Sequence, residues 1–415
     1  MGASVVGARR AGGALLLAAS VSLGGVITVQ PDDEHGGPDD DAGPSVIVSA
    51  HAKGRAAEAT GTSSAHTWTP RPGSASSPGG SVGSGQDQSG STQTGCDCEP
   101  APIPRVERVA GTDRYATAAA LVPEFRNEVS TVYVVNGGAF ADAASAASAA
   151  AAGVVPDVSR GRAWAPAPMV LTRRDSLPAA TRAALRGLSL ERIVIVGGPG
   201  VVSDAVREDL KSYADPVIRV GGRSRYAVSA TLAERFPRDT DTVYVASGED
   251  HALADALAGG ALAGQQGAPV LLTRPDRLDP VTRHALQTLS PSRTVVLGGP
   301  NAVSPAVYAE IGADARFYGD SRYSTAVAIA GQLSAEQSGA FLASGQAFPD
   351  ALTGAALAGS LRQPLLLARS SRIPDPVMHE LARLSPAQLT LLGGTASLSA
   401  GVEDQANASY PAWTR

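Results

Sequence analysis

One five-residue pattern returns three times along the chain and sets its plan. Gly111-Thr112-Asp113-Arg114-Tyr115, Gly222-Arg223-Ser224-Arg225-Tyr226 and Gly319-Asp320-Ser321-Arg322-Tyr323 share Gly-x-x-Arg-Tyr, each between a short apolar segment and an Ala-rich run. The residues after each copy recur in a fixed order. An apolar segment ends in Asn-Gly or Ser-Gly (Thr131 to Gly137, Thr242 to Gly248, Ala340 to Gly345), and an Asp (Asp142, Asp255, Asp350) then opens a run of small residues. A second apolar segment leads to Arg173, Arg274 or Arg369, and a third runs into a double glycine at Gly197-Gly198, Gly298-Gly299 or Gly393-Gly394. Repetition at a period of about a hundred residues means that one folded unit was copied, so the chain carries three tandem modules.

Within a module the pattern alternates between strand and helix. In the first, Val106 to Ala110, Thr131 to Val135, Pro168 to Thr172 and Arg192 to Val196 read as strands. Continuous β-branched runs of this kind suit strands buried on both faces. Tyr115 to Val122, Asp142 to Ala152, Leu177 to Leu188 and Asp204 to Leu210 read as helices, the last capped by Ser203. The helix from Asp142 has hardly any large side chains, so its backbone must press closely on a neighbour. Ser304-Pro305 and Ser399 repeat the cap, with Pro at a first helical position in the second module. Strand-helix alternation predicts an α/β fold, a parallel sheet with helices on both faces in each module. The modules run over 105–214, 215–313 and 314–408, and the lack of long linkers predicts that they pack on one another. Val154 to Ala167, in the first module only, reads as a surface insertion.

What precedes the modules is of another kind. Arg9-Arg10 and the apolar run Ala11 to Val29 give residues 1–30 the order of an export signal, with a membrane anchor as the alternative. Residues 31–104 are rich in Gly, Ser, Pro and Asp and cannot bury enough apolar surface to offset chain entropy, so a disordered linker is expected. Cys96 and Cys98, the two cysteines of the chain, lie in that stretch; the modules contain no disulfide framework and no zinc-type cluster. The formal net charge of −5 does not favour a broad nucleic-acid surface. Every positive residue except Lys53 and Lys211 is an arginine, and a guanidinium can grip carboxylate or phosphate with paired donors.

The three ordered motifs, each in three copies, resemble the cell wall binding repeat type 2 family across all of the chain beyond the linker. The resemblance implies three Toprim-like α/β units acting together, on a protein exported to a Gram-positive envelope. It implies non-covalent attachment to an anionic secondary wall polymer, at the cell wall or cell surface, with no membrane partner once the signal is removed. Two departures stand out: the third module has Thr395 after its double glycine, and Phe317-Tyr318 before Gly319. A Toprim-type catalytic centre would need a Glu after its first strand and paired aspartates further on. Glu249 alone sits near the first position, the one Asp-x-Asp of the modules (Asp239-Thr240-Asp241) stands ahead of it rather than further on, and the modules contain no Gly-x-Ser-x-Gly and no metal-ligand spacing. No catalytic residues, metal or cofactor are therefore expected.

The recurring residues admit two roles. Arg114, Arg225 and Arg322 could donate to a polymer anion while Tyr115, Tyr226 and Tyr323 stack on sugar rings. Alternatively each arginine pairs with the Asp of its module and fixes one loop against another, the preferred reading. The double glycines could hold a phosphate at a helix N-terminus. A tight strand-to-helix turn needing positive φ is the better account, since neither a P-loop nor G-x-G-x-x-G is present. Clustered with Arg173, Arg274 and Arg369 at the strand C-terminal ends, the turns would form a polymer groove. Two functions are thus weighed: a non-catalytic wall-binding protein using all three modules, and an exported enzyme or solute-binding protein using one inter-module cleft.

Overall fold

The computed structural model describes residues 105–125, 128–154, 165–237, 240–335 and 337–413. The expected export signal, the linker with Cys96 and Cys98, and most of the insertion after Val154 lie outside these residues. The first repeat contributes β1 (Arg105–Val109), α1 (Arg114–Ala120), β2 (Thr131–Asn136), α2 (Phe140–Ala151), β3 (Met169–Thr172), α3 (Ala179–Arg186), β4 (Arg192–Val196) and α4 (Asp204–Leu210). The second contributes β5 (Val217–Val220), α5 (Arg225–Ala233), β6 (Thr242–Ser247), α6 (Leu253–Gln265), β7 (Val270–Thr273), α7 (Pro280–Leu289), β8 (Arg293–Leu297) and α8 (Pro305–Ile311). The third contributes β9 (Ala315–Phe317), α9 (Arg322–Ala330), β10 (Ala340–Ser344), α10 (Pro349–Ser360), β11 (Leu365–Ala368), α11 (Asp375–Leu384), β12 (Gln388–Leu392) and α12 (Ala400–Trp413). Strand and helix alternate as the sequence pattern predicts.

Pairing of the strands does not follow the sequence repeat. Each sheet has four parallel strands, in the orders β3-β2-β4-β5, β7-β6-β8-β9 and β11-β10-β12-β1. The strand that opens one repeat therefore completes the sheet of the repeat before it. For the first repeat the preceding one is the third: β1 lies beside β12, with Arg105 opposite Gln388 and Val109 opposite Leu392. The three modules close into a ring, and a strand from the start of the described chain locks its end.

Each sheet is covered on both faces. Val132 and Val134 of β2 face an outer core with Leu185 and Leu210, while Tyr133 and Val135 face the inner cluster. Val243 and Val245 of β6 divide from Tyr244 and Ala246 in the same way. The inner cluster runs through all three modules. Its axis is formed by α2, α6 and α10, which pack pairwise on one another and are almost wholly buried. The small residues are what permit this. A Cβ on Gly264 would stand 2.4 Å from the Cβ of Ala151, and one on Gly359 2.7 Å from that same atom. Contact so close leaves no room for large side chains, which is why the positions where these helices touch are held by small residues such as Ala151, Gly264 and Gly359.

Candidate functional site

At the C-terminal end of every sheet the Gly-x-x-Arg-Tyr loop packs in one way. Its glycine lies against the first turn of the helix that follows: a Cβ on Gly111 would meet the Ala116 carbonyl carbon at 2.3 Å, and one on Gly319 the Cβ of Ser324 at 2.3 Å. Asp113, Ser224 and Ser321 then cap α1, α5 and α9 by accepting from the amides of Ala116, Ala227 and Ser324. So placed, the arginine reaches across to the end of the first strand. Arg114, Arg225 and Arg322 each donate from Nη1 to a glycine carbonyl, Gly137 at 2.7 Å, Gly248 at 2.5 Å and Gly345 at 2.6 Å. The neighbouring tyrosine lies against that same glycine, where a Cβ would stand 3.1, 2.6 and 2.8 Å from Cε1 of Tyr115, Tyr226 and Tyr323. Arg173, Arg274 and Arg369 lie over the three rings at 5.0, 4.8 and 5.3 Å from their centroids, within cation–π range.

Two expectations need correction. Tyr226 and Tyr323 are buried, 3% and 7% exposed, with an arginine over each ring, so neither offers an open face to a sugar. Nor do the described arginines form ion pairs with the Asp of their own module. Arg225 bridges instead to the exposed Asp250 at 2.7 Å. The charge relation runs one module onward: Asp142 feels Arg225, and Asp255 feels Arg322. The reason is the exchanged strand, which carries each Gly-x-x-Arg-Tyr loop onto the preceding module's turn.

The double-glycine turns are built as the residue type suggests. Gly197, Gly298 and Gly393 have φ of 113°, 100° and 98°, a region open to glycine. Their amides are used in the fold, donating to Val220, Phe317 and Val109 carbonyls. A second set of arginines, unremarked in the sequence, anchors the turns. Arg108 donates to the Gly393 carbonyl at 2.7 Å, Arg219 to Gly197 at 3.0 Å and Arg316 to Gly298 at 2.8 Å. The signal was available: each stands three residues before the glycine of Gly-x-x-Arg-Tyr. Ser203 starts α4 as expected, yet its buried hydroxyl makes no capping bond among the described residues.

Under each turn lies the helix-opening Asp. All three carboxyls are buried. Burial pushes Asp142 up to about 6 and Asp255 up to about 7; Arg225 opposes the shift at Asp142, and a Thr325 hydrogen bond and Arg322 oppose it at Asp255. Both folded values lie above the unfolded one, so these groups stabilise the fold while protonated. That contribution is complete below about pH 4 and is lost as pH rises through about 6 and 7. The melting temperature should be higher at pH 5 than at pH 8. Asp255→Asn should narrow the gap by on the order of 2–3 kcal/mol, measured as unfolding free energy at both pH values.

Between the second and third modules the loops border an open cavity of about 350 Å³, lined among others by His251, Asp255, Asn301, Tyr318, Asp320 and Arg322. The second module's loop here is two residues longer than its counterparts between the strand-end Gly248 and Asp255. Glu249 accepts from the Tyr226 hydroxyl at 2.8 Å, and burial with that bond pushes Tyr226 up to about 12. Arg225→Ala removes the Gly248 and Asp250 contacts together and is expected to cost about 1–3 kcal/mol in a denaturant melt.

A closed ring of three α/β units, presenting the same arginine-bearing loops at every junction, is the architecture of a repeated binding module. Residues 108–207, 219–308 and 316–403 match the family described as Cell wall binding domain 2 (CWB2), and the chain belongs to it. Each matched segment begins at a turn-anchoring arginine. Over 300 residues the chain is 28% identical to the N-acetylmuramoyl-L-alanine amidase LytC of Bacillus subtilis (strain 168), covering 72% of this chain and 58% of that protein. It is also 28% identical to an amidase enhancer of the same organism, over 72% of this chain and 39% of the enhancer. The chain thus spans well under two thirds of either relative. Among solved structures, Cwp8 from Clostridium difficile superposes with a TM-score of 0.63 at 25% identity, over 74% of this chain and 52% of Cwp8. Cwp6 from the same organism shares the fold, with a TM-score of 0.66 at 23% identity over 74% of this chain and 48% of Cwp6.

Proposed function

We propose that this chain is a non-catalytic attachment protein, exported to the envelope, that binds an anionic secondary wall polymer through all three modules. The observation that carries this reading is the threefold recurrence of one arginine pair. Arg114 and Arg173, Arg225 and Arg274, and Arg322 and Arg369 stand at the C-terminal ends of the strands, each pair joined through a tyrosine. In open α/β sheets that edge is where ligands bind. The tyrosine serves as a spacer that sets the two guanidinium groups apart, and the arginines make the polymer contact. Three weak sites on one rigid ring engage a repeating polymer together, so the second and third contacts form at high effective concentration. The single-cleft alternative is not favoured, since the motifs recur at all three junctions.

Retention on purified cell walls tests the proposal. The protein should be held by intact walls and released when the secondary polymers are removed chemically. Equal retention on stripped walls would refute polymer attachment. Arg225→Ala serves as the internal probe: it loses the Gly248 and Asp250 contacts as well, so retention is compared at a temperature where the variant stays folded, and full retention there would assign Arg225 to structure alone.

A further inference from the structure

The three junctions are not chemically equal, and the difference lies in what the buried Asp can bond. At the third, the Ser397 hydroxyl donates to Asp350 Oδ2 at 2.8 Å. Ser397 stands four residues after its turn glycine; the same place is held by Val201 in the first module and Ala302 in the second. Neither side chain can donate. A hydroxyl given to a carboxylate favours its ionised form; Asp255 receives one such bond, from Thr325, and has no second at the place of Ser397.

The second junction joins that deficiency to an open cavity. Asp255 is 7% exposed yet lines the 350 Å³ space together with Arg322 of the next module. On its other side the turn closes over it, and a Cβ on Gly298 would stand 2.4 Å from Asp255 Oδ2. Arg322 has one nitrogen on the Gly345 carbonyl and its guanidinium carbon 5.6 Å from the centre of the Phe348 ring. The charged and titratable groups around Asp255 come from several elements. His251 precedes α6, Tyr318 and Asp320 lie in the loop before α9, Arg322 is on α9 itself, and Arg316 lies under the turn on β9. The titratable residues of the packed helices α2 and α10, Asp142 and Asp350, sit under their own turns at the other junctions. An anion arriving at Arg322 thus meets a carboxyl that lines the same cavity and is coupled electrostatically to that guanidinium, and two negative groups at one cation repel.

We propose, resting on the polymer-binding reading above, that this cavity is a proton-linked anion subsite. Arg322 takes one negative group of the polymer, phosphate or carboxylate, and Asp255 takes up one proton from solvent in the same event. The exchange conserves charge at the junction: one negative group enters and one is neutralised. By linkage, affinity rises as pH falls, and polymer binding in turn raises proton affinity at Asp255.

Purified cell walls titrated with the full chain at pH 5.5 and pH 8.5 test this. Wild-type protein should bind roughly three- to tenfold tighter at pH 5.5. Asp255→Asn fixes the group uncharged and should bind tightly at both pH values. Ala302→Ser adds a hydroxyl beside the Thr325 bond, favours ionised Asp255 and should bind more weakly than wild type at pH 5.5. Histidines titrate in this window, but a response owed to His251 would survive in Asp255→Asn. A wild type indifferent to pH, or an Asp255→Asn variant that keeps the wild-type response, overturns the inference and leaves wall attachment standing. Absence of retention at either pH overturns the attachment reading and the inference with it.

Discussion

Removal of residues 105–109 is expected to open the ring and unfold the third module first. Those residues are β1, the outer partner of β12, and they supply five paired positions to its ladder. Arg108 is lost with them, and with it the bonds to Glu403 at 2.9 Å and to the Gly393 carbonyl at 2.7 Å. Val106 and Val109, packed on the inner cluster, leave as well. At about 1 kcal/mol per hydrogen bond and a similar amount for each half-buried valine, the deficit is on the order of 5 kcal/mol. That is a large share of the stability of an ordinary domain, about 5–15 kcal/mol. Hydrogen exchange compares a chain starting at residue 104 with one starting at residue 110. The amides of Leu389 to Leu392 should lose protection in the shorter chain, well before those of β6 and β8. Unchanged protection there would mean that the closing strand contributes little.

The second large effect is expected on the ring axis. Gly264→Val places a branched side chain where even a Cβ stands 2.4 Å from the Cβ of Ala151 and 3.4 Å from the Ser148 carbonyl oxygen. Those atoms belong to a packed helix and cannot swing aside as a side-chain tip can, so α2 and α6 must separate. Overpacking of this kind costs about 3 kcal/mol or more. Gly267→Ala is the comparison: Gly267 has φ of +63° but nothing within 4 Å of an added Cβ. Its cost is the local strain of a left-handed residue, about 1 kcal/mol. Thermal melts of the two variants should therefore differ widely although the sites are three residues apart.

Much of this fold is legible in the sequence because strand and helix signals are local. The β-branched run of β2, the Asp opening α2, and Ser304-Pro305 at the start of α8 are each read without knowing the rest. Strand exchange is not legible in this way. Val217 to Val220 opens a repeat in the sequence, and nothing within those four residues says that their partner is β4 rather than β6. The misassigned ion pairs have the same origin. Asp142 and Arg114 share a repeat, but the exchanged strand brings Arg225 to Asp142 instead. Tyr226 shows a different gap: a Tyr suits both a sugar platform and an interior. The side chain that decides, Arg274, is distant in sequence. Arg108, Arg219 and Arg316 were within reach, since their spacing is as regular as that of the pentapeptide they precede.

The crossing of β1 onto β12 has a consequence for copy number. Open solenoids lengthen by adding units at either end, because each unit touches only its neighbours. Here the first and last copies are also neighbours, and the central space is taken by three Ala- and Gly-rich helices that pack pairwise on one another. A fourth copy would find the place beside β12 taken by β1 and no seat at the centre. Valency in this architecture therefore grows by whole triplets, joined by tethers, rather than one unit at a time.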